Sequence, residues 1–149
     1  MLRKFLLSLT TVLSVSASAT HFSGGEIYWH CLGNNQYEIT MVVYRDCAGI
    51  NVDPNVTLAF QSPCGNTSLV VSTPSGVEIS QLCDLELPNS TCNGGSLPGI
   101  QQYIYTGTIT LAPCDSWTIS YTNIYRNNAI VNLQNPGTQR TYIRAVLNT

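Results

Sequence analysis

After residue 4 the chain has no lysine, and its 149 residues carry only six basic and eight acidic side chains. Histidine occurs twice, at His21 and His30. So little positive charge excludes a basic track for nucleic acid or anionic lipid, both of which need clustered Lys and Arg. No stretch beyond Ala19 is long and apolar enough for a membrane-spanning helix. No cysteine pair has the C-x2-C spacing of a zinc site, since successive gaps are 16, 17, 19, 9 and 22 residues. There is no G-x-S-x-G elbow, and two histidines nine residues apart give no nucleophile–base–orienter set. The sequence therefore predicts no catalytic residue, no cofactor and no metal.

The segment 1–19 reads as an export signal. Arg3 and Lys4 give a positive start, Phe5 to Val15 an apolar run, and Ala17-Ser18-Ala19 a small-residue cleavage site. The mature part, 20–149, then holds four arginines against eight acids, a net charge of −4. Its polarity comes from Asn, Ser and Thr, 37 residues in all, interleaved with Tyr, Ile, Val and Thr that favour extended backbone. One exported, ordered β domain is expected, and the ending directly after a strand predicts the first domain of a longer protein.

Apolar residues recur with period two. Strands are predicted at Glu26–Cys31, Tyr37–Tyr44, Val56–Phe60, Ser68–Thr73, Val77–Leu82, Gln101–Leu111, Trp117–Tyr125 and Thr141–Leu147, with Cys83–Gly99 as the longest irregular stretch. Eight short antiparallel strands suggest a disulfide-stapled two-sheet β-sandwich, immunoglobulin-like or jelly-roll-like. Alternation places Ile27, Ile39, Met41, Val43, Leu58, Phe60, Ile109, Trp117, Ile119, Tyr121, Ile143 and Ala145 inside.

Six cysteines in an exported chain point to disulfides. If every strand crosses the sandwich once, connections alternate between its two ends. Cys31, Cys64, Cys83 and Cys92 then share the end bearing the first hairpin turn, and Cys47 and Cys114 share the other. A cystine needs its Cα atoms within about 7 Å, which pairs Cys47 with Cys114. The other four allow three arrangements, of which Cys83–Cys92 with Cys31–Cys64 is expected because the short Pro-Asn loop closes at the lowest entropic cost.

The same residue types offer other chemistry. Cleavage after Thr20 would expose His21 as an N-terminal copper chelator, but His30, on the same first strand, is badly placed as its partner. Asp46, Asn51, Asp53 and Asn55 offer oxygens for calcium, yet such residues more commonly form turns. Asp84 and Glu86, alternating with Leu85 and Leu87, read as a solvated strand edge. N-x-[ST] sequons stand at Asn55, Asn66 and Asn89. The strand aromatics are expected in the core or in cross-strand pairs, with some available for stacking on sugar.

Three stretches carry a resemblance: His21-Phe22-Ser23-Gly24-Gly25-Glu26-Ile27 with Cys31-Leu32-Gly33; Tyr44-Arg45-Asp46-Cys47-Ala48-Gly49; and Arg126-Asn127-Asn128-Ala129-Ile130 with Ala145-Val146-Leu147-Asn148. Together they resemble the N-terminal domain of large exported surface proteins of Bacteroidota. Those proteins are gliding-motility-associated or adhesin-like, with later immunoglobulin-like or PKD repeats and a type IX sorting domain. The resemblance implies a non-catalytic module at the cell surface, or in the periplasm, whose partners are other domains of its chain, surface proteins or glycans. The alternative reading is a carbohydrate-binding or carbohydrate-active secreted domain. Aromatics buried between sheets favour the first, and an exposed aromatic row the second.

Overall fold

The computed structural model describes residues 22–124, 126–127 and 130–149; the expected signal segment, Thr20, His21, Tyr125, Asn128 and Ala129 lie outside them. The fold is all-β. Its strands are β1 (Phe22–Gly33), β2 (Gln36–Asp46), β3 (Asn55–Ser62), β4 (Gly65–Ser72), β5 (Val77–Glu78), β6 (Ile100–Thr110), β7 (Trp117–Ile124) and β8 (Arg140–Leu147). The described residues contain no α-helix, only short 3-10 turns at Leu87–Asn89, Thr91–Asn93 and Pro136–Thr138.

Hydrogen bonding orders the strands β1-β2-β6-β4-β3-β7-β8, every ladder antiparallel, with β5 beside the start of β6. The halves β1-β2-β6 and β4-β3-β7-β8 are joined through one pair, Ser72 with Thr106, so a single hydrogen-bonded path links what alternation predicted as two sheets. The path curls until its outermost strands, β1 and β8, lie side by side and parallel. Trp29 bridges that seam by donating Nε1–H to the Val146 carbonyl (3.2 Å), and Phe22 makes a parallel bridge with Arg126. Asn34 and Asn35 both take the left-handed conformation in the two-residue β1–β2 turn, the backbone that matches strand twist in a tight hairpin.

Nine of the twelve residues expected inside are buried, and Ile109, Tyr121 and Ala145 pack partly buried against them. Phe22, Tyr37, Val71, Tyr105, Leu111, Cys114 and Leu147 complete the core. β2, flanked on both sides, is buried on both faces from Ile39 to Val43.

The disulfide expectation requires correction. Cys47 pairs with Cys92 (Cα–Cα 4.8 Å) and Cys64 with Cys114 (6.1 Å), while Cys31 and Cys83 are free and exposed. The pairs Cys47–Cys114, Cys83–Cys92 and Cys31–Cys64 do not form. The fault lies in β5. The expected strand Val77–Leu82 pairs over only two residues, opposite Gln102 and Gln101, and does not cross the fold. The segment from Thr73 to Gly99 thus stays at one end. β6 runs in the direction opposite to the one assumed, from Asp46 toward Gln36, and carries Cys114 to the hairpin end. Cystines do join same-end cysteines, with one crossing strand fewer than expected. Cys31, Cys64 and Cys114 share one end and Cys47, Cys83 and Cys92 the other, which leaves one thiol over at each. Asp84 and Glu86 consequently lie in a turn rather than a strand edge, with Leu85 almost wholly exposed.

Candidate functional site

The end away from the β1–β2 hairpin collects the long loops: 47–54 after β2, 73–99 between β4 and β6, and 125–139 between β7 and β8. Part of each stretch that carries the resemblance lies here, namely residues 22–25, 44–49 and 126–127, whereas residues 31–33 and 145–148 lie at the hairpin end. Arg45, near the end of β2, is buried at 7% exposure. Its guanidinium gathers the 47–54 loop around it. Nε donates to the Ile50 carbonyl (2.6 Å), Nη1 to Gln101 Oε1 (2.7 Å), and Nη2 to the carbonyls of Gly49 and, at 3.5 Å, Cys47. None of these partners is a carboxylate, so carbonyl dipoles stabilise this buried cation, a role the multi-donor guanidinium suits and an ammonium does not.

The neighbouring Asp46 points elsewhere. Its Oδ1 accepts from the Ala48 amide (2.9 Å), and its Oδ2 from Asn127 Nδ2 (3.1 Å). Asn127 also donates its amide to the Phe22 carbonyl (3.3 Å) and Nδ2 to Ser23 Oγ (3.4 Å). One aspartate thereby ties the ends of β1 and β2 to the loop after β7. Asp46 forms the turn that its residue type favours, and among the described residues no three His, Cys, Asp or Glu side chains gather in metal-binding order.

Beneath the loop lies a cavity of about 120 Å³, lined by residues including Arg45, Asn51, Asp53, Tyr105 and Tyr121. Tyr105 donates its hydroxyl to the Asp53 carbonyl (2.6 Å), pinning the far end of the loop. Burial pushes the Tyr105 phenol well above its ordinary range, with smaller contributions from Tyr121, Asp53 and Tyr103. Burial and then Asp53 raise Tyr121 as well. On the other side of Asn51 and Val52 an open cleft of about 360 Å³ is walled by Pro54, Thr73, Pro74, Ser75, Gly76, Gln101 and Tyr103. Gln101 Oε1 accepts from both Arg45 and the Tyr103 hydroxyl (3.0 Å), linking the buried cation to the cleft wall.

The 73–99 loop is held by its own polar side chains. Ser90 is fully buried, and its segment pairs with Leu97. Glu78 accepts from Ser80 Oγ (2.7 Å) and Asn93 Nδ2 (2.9 Å). Hydrogen bonding, from Ser90 foremost and then Ser80, holds its carboxyl below the usual carboxylate range.

The remaining expected positions are scattered. His30 is exposed on the outer side of β1. Asn55 and Asn66 are exposed at the starts of β3 and β4, and exposed Asn89 donates its side-chain amide to Glu86 (2.9 Å). Tyr37, Tyr105 and Trp117 are buried, whereas Tyr28, Trp29 and Tyr142 are exposed beside the seam. Trp29 meets Tyr37 edge-to-face at 5.9 Å. The cleft has no signature in the sequence, because Thr73, Gln101 and Tyr103 read as ordinary alternating strand residues and only the fold brings them together. No family model, curated protein or solved structure matches the chain.

Proposed function

We propose that this domain is a non-catalytic structural and adhesive module of an exported, multidomain cell-surface protein. The observation that supports it best is the fate of the polar groups at the loop-bearing end. Arg45, Asp46 and Asn127, the residues most suggestive of chemistry, are engaged in joining the 47–54 loop and the loop after β7 to the strands. Two cystines, one at each end, suit an oxidising compartment. The domain's partners are neighbouring domains, surface proteins or glycans. The test is antibody labelling of intact cells, with and without external protease. Protease-sensitive surface signal is expected, and a protected signal that appears only after the envelope is opened overturns the reading.

A further inference from the structure

We infer that the cleft between the 51–54 loop and the Thr73–Gly76 turn is a binding site for a neutral, hydroxyl-rich ligand, namely a single pyranose ring at the end of a glycan. The inference deepens the adhesive reading and rests on it only in requiring binding without turnover. The cleft's volume, about 360 Å³, is at the small end of the range for ligand pockets, about 300–1,000 Å³. None of its nine lining residues is charged, so nothing in its wall selects a phosphate, carboxylate or cation.

Amides, hydroxyls and one aromatic ring are what it does offer. Gln101 Oε1 is already taken by Arg45 and Tyr103, which leaves its Nε2 as a donor. Asn51 and Ser75 add exposed polar groups at the rim. Thr73 is buried at 7% exposure, and its Oγ1 has no hydrogen-bond partner. Buried polar atoms are nearly always paired, and Thr73 stands in the wall of the cleft, where a ligand hydroxyl would satisfy it. The Tyr103 ring is seated against Gly76 so closely that a Cβ there would lie 2.5 Å from Cζ. Glycine thus fixes the ring at the cleft wall.

The test is a two-dimensional amide NMR titration of the mature chain with methyl glycosides of glucose, galactose, mannose and N-acetylglucosamine, run beside binding to the same sugars immobilised on beads. At least one glycoside should give saturable shifts centred on Thr73, Ser75, Gly76 and Gln101, and beads bearing it should retain the protein. Thr73→Val and Asn51→Ala, with spectra otherwise unchanged, should each weaken binding about tenfold, the loss of one well-made hydrogen bond. The inference is overturned if no glycoside moves these amides, or if both variants bind as the parent does. Should the chain remain surface-exposed while no glycoside titrates, the surface reading stands and the cleft assignment falls. Glycoside binding by a chain found only inside the envelope gives the converse.

Discussion

Arg45→Met removes the guanidinium and keeps most of the apolar stem, so it isolates the hydrogen bonds from the packing. Three of the four bonds are short enough to count, those to Ile50, Gly49 and Gln101. Hydrogen bonds to a charged group contribute roughly 1.5–3 kcal/mol each, which sets an upper range of about 4–9 kcal/mol. Relief from burying a cation with no carboxylate partner offsets part of that, and water entering at the loop can satisfy some of the freed carbonyls. A net loss of about 3 kcal/mol is expected. For a domain of this size that lowers Tm by roughly 10 °C, at about 3–5 °C per kcal/mol. Urea unfolding gives the free energy, and amide exchange of residues 47–54 should rise through local opening, while the β3–β7 ladder loses protection only by as much as global stability falls. Arg45→Lys should recover less than half, because an ammonium cannot reach three divergent acceptors. Arg144→Met on the exposed face of β8 is the control, expected within about 0.5 kcal/mol. If Arg45→Met is as stable as the control, the loop is not organised by this side chain and the account is refuted.

Native protein should titrate two thiols with a disulfide-exchange reagent, and peptide mapping should give Cys47–Cys92 and Cys64–Cys114; a Cys47–Cys114 peptide would show that β6 runs the other way. Each native bridge closes 45 or 50 residues, so replacing either pair by Ala should cost about 4 kcal/mol in the chain-entropy model. The raised Tyr105 and Tyr121 phenols mean that the folded state holds protons the unfolded state releases near about pH 10. Stability should therefore be present in full below that pH and fall as pH rises above it, with Tyr105→Phe flattening the decline; a profile still rising above pH 10 refutes the assignment. Without ligand, Thr73→Val should raise stability by about 1 kcal/mol by removing an unpaired buried hydroxyl, and a lower Tm would mean that Oγ1 has a partner after all.

Strand positions were legible because period-two alternation is local. Seven of the eight predicted strands are present with ends shifted by a few residues, and Ile39, Met41, Leu58, Phe60 and Ile119 are wholly buried as their spacing demands. Val77 to Leu82 alternates equally well, yet Val77 and Ile79 are exposed. Alternation says which residues share a face and leaves open whether a neighbouring strand covers that face.

Composition and spacing alone determined an all-β chain poor in charge, the positions of its turns, and a set of cysteines suited to disulfides. Strand order, the seam between β1 and β8, and the cystine partners were decided only by tertiary structure. Each depends on which strand lies beside which, a property set by packing between residues tens of positions apart. A single two-residue strand in place of a six-residue one reversed the direction of β6 and exchanged the partners of Cys47 and Cys114. The cleft walled by Thr73, Gln101 and Tyr103 likewise joins residues from β6 and from the turn after β4, a juxtaposition that no local pattern carries.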